Sequence, residues 1–247
     1  MEKLKILVIG DSCIDEFIYC DIERICPEAP VPVLKPKKSS GNPGMADNVV
    51  ANLQALGVEV DIITNDQIIQ KTRYVDIRSG QMVMRVDEHD KCERYDGVYE
   101  TVNYDAIIIS DYCKGFLTED DIEAFAERAE CPIFLDTKKQ LGDWCKNIDF
   151  IKINSSEHEK NFEQLPKYPY LYNKLIVTKG KQGCEYKNKT YSTKEVPVRD
   201  VSGAGDTFMA GLVFEYVKNN DIKKAINFAQ KCTTIVVQKS GVATIKN

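Results

Sequence analysis

The stretch Asp200-Val-Ser-Gly-Ala-Gly-Asp206-Thr-Phe208 carries the strongest signal in this chain. Its Ser202-Gly-Ala-Gly-Asp206 core runs into an apolar-periodic segment, Phe208 to Lys218, which predicts a helix with the glycines at its N-terminus. Free backbone N–H groups and the positive end of the helix dipole point outward there. Gly203 and Gly205 let the backbone approach an anion closely, so the segment predicts a phosphate cradle. It has neither the Gly-Lys-Ser/Thr ending of a Walker A loop nor the dinucleotide fingerprint. Asp206 falls in the first turn, where a carboxylate can take the proton of an attacking hydroxyl. Gly-x-Gly-Asp alone is better read as a helix-capping acid, so the rest of the chain must decide.

Working outward, six short apolar runs predict buried strands: Ile6 to Ile9, Val60 to Thr64, Ala106 to Ser110, Ile133 to Leu135, Phe150 to Ile153 and Leu175 to Thr178. Continuous apolar runs suit a parallel sheet covered on both faces. Helical patterns alternate with them at Ala46 to Leu56, Thr118 to Ala129 and Ile222 to Val237, which predicts an α/β layered fold. Pro30-Val-Pro-Val-Leu-Lys-Pro36 belongs on an exposed edge. Tyr74 to Val86, with Arg-Ser-Gly-Gln between alternating apolar residues, reads as a hairpin. These pieces predict a small antiparallel β lid from segments near 17–37 and 72–90, on a single domain spanning 1–247. Ligands in such sheets bind beyond the carboxyl ends of the strands, which directs attention to Asp11, Asp111-Tyr112, Asp136-Thr-Lys138, Asn154 and Lys179-Gly180.

Composition removes several function classes. The 247 residues carry a net charge of −5, unsuited to a general nucleic-acid binder. Nine cysteines without a C-x-x-C pair, and two histidines, argue against zinc and fit free thiols in a reducing cytosol. The apolar run after Lys5 is too short for a signal peptide or a membrane span, so a cytoplasmic location is expected.

Asp200 to Phe208 resembles the C-terminal signature of the ribokinase-type, or pfkB, carbohydrate kinases. The resemblance implies a three-layer ribokinase-like sandwich and ATP-dependent phosphorylation of a sugar hydroxyl. It implies Gly203, Ala204 and Gly205 as an anion hole and Asp206 as general base. Asn42-Pro-Gly-Met-Ala-Asp-Asn48 is similar to the family's N-terminal signature, which puts Gly44 and Asn48 at the sugar. Asn154-Ser-Ser-Glu157 resembles the motif that organises Mg2+ and phosphates, although alone it reads as a helix start with a capping acid. Thr178-Lys-Gly-Lys-Gln-Gly183 resembles the nucleotide loop, placing Thr178, Lys179, Gly180 and Gly183 near ATP. Gly241 resembles the adenine-side segment.

A narrower resemblance rests on Gly10 to Asp15, Arg24 to Val33, Arg85-Val-Asp87 and Ser110-Asp-Tyr-Cys-Lys-Gly115. These segments are similar to the kinases of D-glycero-β-D-manno-heptose 7-phosphate, which act on the anomeric hydroxyl. That implies Asp11 and Asp15 as hydroxyl ligands, and Lys114, Lys138 or Arg73 at the distal phosphate. The alternatives are a kinase for another sugar, of fructose or ribose type, and a non-catalytic sugar or nucleotide sensor. The chain departs from the family at Pro43, where a second glycine is usual. Only Asn65 to Gln70 fill a segment that relatives extend by a helix–strand unit, so a narrower sheet is expected. An exposed lid edge invites a partner strand, so a homodimer is expected as well.

Overall fold

The computed structural model describes residues 3–97 and 101–246. The six predicted runs become six strands: β1 (Lys5–Gly10), β4 (Glu59–Thr64), β7 (Ala106–Asp111), β8 (Ile133–Thr137), β9 (Phe150–Asn154) and β10 (Leu175–Thr178). They pair in parallel throughout. β11 (Cys184–Tyr186) and β12 (Lys189–Tyr191) add an antiparallel margin, giving the order β12-β11-β10-β9-β8-β7-β1-β4. The side chains of a strand alternate between faces, and here both faces are apolar. Ile6 and Val8 of β1 enter one core, under α1 (Ala46–Ala55), α4 (Ala204–Asn219) and α5 (Ile222–Val236). Leu7 and Ile9 enter the other, with Ile122 and Phe125 of α2 (Glu119–Arg128). Each such fully buried side chain contributes about 1.5–3 kcal/mol. β4 is one edge of the sheet, and its Ile62 is left 37% exposed.

The helix signals hold in detail. Thr118 caps α2 and forms a reciprocal capping box with Asp121, as its spacing predicts. α4 starts at Ala204, ahead of the apolar periodicity at Phe208, because Gly203 adopts φ 74° and turns the chain straight into the helix. Asp206 is therefore in its first turn.

The second sheet is the lid, ordered β3-β2-β5-β6. Its strands are β2 (Ser12–Ile25), β3 (Pro32–Met45), β5 (Gln70–Asp76) and β6 (Met82–Glu88). β2/β3 and β5/β6 are antiparallel pairs, joined by a parallel β2/β5 contact. Pro32 and Pro36 lie in β3, a lid edge, where a missing N–H is tolerated. Residues of the lid strands and of the loops that follow β7 and β8 line a common space.

Candidate active site

Two cavities meet at the first turn of α4. Gly203 and Asp206 line one, of about 360 Å³, together with lid residues and Tyr112. Ala204 and Gly205 line the other, of about 280 Å³, whose walls include Val196, Val198, Phe208 and Val237. One helical turn thus borders a polar chamber and an apolar one.

Asp206 is 3% exposed. Its Oδ1 accepts a hydrogen bond from the Tyr112 hydroxyl (2.6 Å) and its Oδ2 one from Asn48 Nδ2 (2.8 Å). Burial pushes its pKa up to about 6, against the lowering effect of these two donors. The carboxylate is thus ionised at neutral pH yet close enough to neutrality to accept a proton. Burial, followed by the charges of Asp206 and Asp136, raises the Tyr112 hydroxyl well above its ordinary range, so it stays a donor. Asn48 is fully buried, and its side chain also supports Asn52, which in turn accepts from Thr207. Asn48, expected at the sugar, donates to the acid. A Cβ on Gly203 would run into Asn48 Nδ2, so glycine is required there by space as well as by φ.

The polar chamber is lined with cations. Lys71 and Arg73 come from β5, Arg85 from β6, Lys114 from the loop after β7 and Lys138 from the loop after β8. Arg73 pairs with Asp15, Arg85 grips Asp87 through two bonds (2.6 and 2.7 Å), Lys114 meets Asp90 (2.5 Å) and Lys138 pairs with Glu157. Burial pulls the Lys138 ammonium down, but Asp136 and Glu157 outweigh it and hold its pKa above the ordinary value. Gly44 faces Asp15 and Cys13 across the β2/β3 ladder; a Cβ there would lie 2.7 Å from Cys13 Sγ and collide with Asp15 Oδ2. Pro43 sits in the same ladder, opposite Ile14, without disrupting it.

The other expected residues divide between the cavities and the loops that frame them. Asp11 lines neither cavity. It is fully buried and accepts from the backbone N–H groups of Tyr112 (2.6 Å) and Phe116 (3.4 Å), so it fixes the loop that delivers Tyr112 and Lys114. Burial and then Asp111 raise its pKa. Asn154 caps α3 (Ser155–Lys160), and Glu157 completes the capping box. Thr178, Gly180 and Gly183 line the apolar cavity. Lys179 turns away from it to pair with Glu185 (2.5 Å). Gly241 is outside the apolar cavity: its N–H donates to Asp200 Oδ2 (3.1 Å), beside Asn42 and Phe17 of the lid. Behind Gly205, Lys152 pairs with Asp136, and both are nearly fully buried. A Cβ on Gly205 would lie 3.0 Å from Lys152 Nζ, so a buried ammonium backs the glycine turn.

Sequence reasoning gave Lys71 and Lys152 no site role, and pointed to Tyr112 only by its place after a strand and to Arg85 only within the Arg85-Val-Asp87 segment. One signal was available: Lys71 and Arg73 are two residues apart in a strand, hence on one face.

Residues 88–247 match the model of the pfkB family carbohydrate kinases. The chain is 32% identical to the bifunctional protein HldE of Nitratiruptor sp., over 98% of its own length and 63% of that protein's. The alignment runs over 294 positions, more than the chain's 247 residues, so some tens of positions have no counterpart here. The chain spans less than two thirds of the curated relatives it matches. Among solved structures, Arabidopsis thaliana ribokinase complexed with ribose and ATP superposes with a TM-score of 0.71 at 15% identity, covering 99% of this chain and 95% of that one. The nucleoside kinase of Methanocaldococcus jannaschii, a member of the ribokinase family, gives 0.70 at 17% identity, over 98% and 95%. With a ribokinase-like sandwich, a glycine turn at a helix start and a buried acid between two cavities, this chain belongs to the pfkB family of carbohydrate kinases, ATP-dependent phosphotransferases that act on a sugar hydroxyl.

Proposed function

We propose that this kinase phosphorylates a sugar that already carries a phosphate. The observation that supports this is the charge of the polar chamber: five basic side chains against Asp15 and Asp206 on its walls. A neutral sugar needs hydroxyl-binding carboxylates and amides, whereas a phosphate ester calls for cations. The segments shared with the heptose kinases make D-glycero-β-D-manno-heptose 7-phosphate the preferred acceptor, with the 1,7-bisphosphate as product.

In this reading ATP lies along the apolar cavity, with its adenine among the valines and its terminal phosphate at the backbone N–H groups of the Gly203 to Gly205 turn. The acceptor hydroxyl gives its proton to Asp206 while its oxygen forms a bond to the γ-phosphorus. The bond from that phosphorus to the β,γ-bridging oxygen breaks, and ADP leaves. Tyr112 and Asn48 hold the carboxylate in place, and the buried Lys152–Asp136 pair backs the turn.

Mg2+ is assigned to Asn154 and Glu157. Among the described residues no cluster of three or more potential metal-ligating side chains exists. One carboxylate and one amide nonetheless suit Mg2+, which is held largely by water and substrate phosphates. When bound, the ion neutralises phosphate charge; Glu157 would have to loosen its contact with Lys138 to reach it.

The test is ADP release over a panel of sugars and sugar phosphates, with and without Mg2+. Turnover confined to phosphorylated acceptors, highest with the heptose 7-phosphate, is expected. Turnover on free fructose or ribose with no gain from a phosphate group would overturn the assignment. ATP binding without turnover on any acceptor would favour a sensor.

A further inference from the structure

The geometry points to Lys71 as the residue that selects a phosphorylated acceptor over its unphosphorylated sugar. The inference rests on the sugar-phosphate reading above and ranks the cations of the polar chamber, which that reading leaves equal.

Four of the five cations are already matched by a carboxylate: Arg73 by Asp15, Arg85 by Asp87, Lys114 by Asp90 and Lys138 by Glu157. Lys71 is different. Among the described residues no hydrogen bond or ion pair reaches its ammonium. Its Nζ lies over the face of the Tyr112 ring, 5.3 Å from the centroid. Asp15 and Asp87 stand opposite it in the β2/β5 and β5/β6 registers, but Asp15 is paired with Arg73 and Asp87 is gripped at both oxygens by Arg85. Lys71 is also the most enclosed of the five, 7% exposed, and it lines the chamber.

A buried ammonium whose flanking carboxylates are engaged by other cations is costly, and a cation–π contact offsets only part of that cost. Such a charge is tolerated where a ligand anion completes it. The ring that Lys71 lies over is the one whose hydroxyl holds Asp206, and Lys138 also lies over that ring, at 5.0 Å. Lys71 is thus one tyrosine ring away from the base. An acceptor whose hydroxyl meets Asp206 places its remaining length along the β5 and β6 side of the chamber, where the unmatched charge waits. A dianionic phosphate ester satisfies it; a neutral hydroxyl does not.

The experiment compares kcat and KM of the full chain for heptose 7-phosphate and for the same heptose without phosphate, in wild type, Lys71→Met, Lys71→Arg and Arg85→Met. Lys71→Met is expected to raise KM for the phosphorylated acceptor by about 10- to 100-fold, the value of a lost charge-assisted hydrogen bond. The preference for that acceptor collapses, Lys71→Arg restores most of it, and Arg85→Met has the smaller effect. A second readout separates binding from folding. Inorganic phosphate should raise the Tm of wild type but not of Lys71→Met, and without ligand the variant should melt no lower than wild type, since an unmatched charge has been removed. A wild type with no preference for the phosphorylated acceptor overturns both the acceptor assignment and this one. A preference that survives Lys71→Met overturns this one alone. So does an equal loss of kcat on both acceptors with KM unmoved, which would place Lys71 at the transferring phosphoryl group.

Discussion

Replacing Tyr112 with phenylalanine isolates one part of the base's environment. The pKa of Asp206, pushed up to about 6 by burial, is held down there by hydrogen bonds from Tyr112 and Asn48. A hydrogen bond to a charged group is worth about 1.5–3 kcal/mol, and one pKa unit about 1.36 kcal/mol. Losing the Tyr112 donor therefore raises the Asp206 pKa by about 1–2 units. The residue borders the polar chamber, so water can enter the space of the missing hydroxyl, and the lower figure applies. The acid limb of kcat/KM moves from about pH 6 to about pH 7. At pH 6 the ionised fraction of the base falls from about one half to about one tenth, a roughly fivefold loss. Above about pH 8.5 both enzymes hold an ionised base and their rates converge. The assay is ADP release against pH between about 5 and 9, with both enzymes on the same acceptor so that titration of the substrate cancels. A uniform loss at every pH, with the limb unmoved, would refute the assignment of Tyr112 as a group that sets the base's protonation.

The remaining expectations concern the same turn. Asp206→Asn should abolish turnover while leaving ATP affinity close to wild type, measured by calorimetry. Because the folded pKa of Asp206 is raised, its contribution to stability is present below about pH 4 and lost as pH rises through about 6; the Tm of Asp206→Asn relative to wild type should therefore climb across that window, by at most about 3 kcal/mol equivalent. Gly203→Ala sets a Cβ against Asn48 Nδ2 and demands φ 74° from alanine; it should cost about 1–3 kcal/mol in urea melts and at least about tenfold in kcat, and wild-type values for both would contradict the packing described. Glu157→Ala removes the α3 capping box and the partner of Lys138; the Mg2+ concentration for half-maximal rate should rise, with about 1 kcal/mol lost in stability, and an unchanged Mg2+ titration would remove Glu157 from the metal site.

Much of the scaffold was legible because its signals are local. Runs such as Ile6 to Ile9 are apolar on both faces, so they declare a covered parallel strand without reference to the rest of the chain. Thr118 and Asp121 announce a helix start through their spacing, and the glycines ahead of Phe208 announce another. The chamber was legible only in part because its members come from distant positions with no motif of their own. Nothing near Tyr112 in the chain says that its hydroxyl meets Asp206, and nothing near Lys71 says that its neighbours' carboxylates are taken. Asn48, Asp11 and Gly241 show the converse. Their segments were identified, but where the Asn48 and Asp11 side chains and the Gly241 backbone N–H point depends on what each element packs against. Asn48 is drawn to Asp206, Asp11 to the loop it pins and Gly241 to Asp200.

The parallel contact between β2 and β5 has a consequence for the order in which the molecule forms. A hairpin closes on itself, but β5 can join β2 only after the chain has passed through β3, α1 and β4. That pairing closes a long loop, whose entropy is recovered late. β1 and β4 must be seated first, since they hold the two ends of the excursion. The lid should therefore assemble as the last cooperative unit and open as the first, with amide protons of β5 and β6 exchanging ahead of those of β1 and β7. A kinase built this way acquires its cation-lined chamber only once its base is already in place.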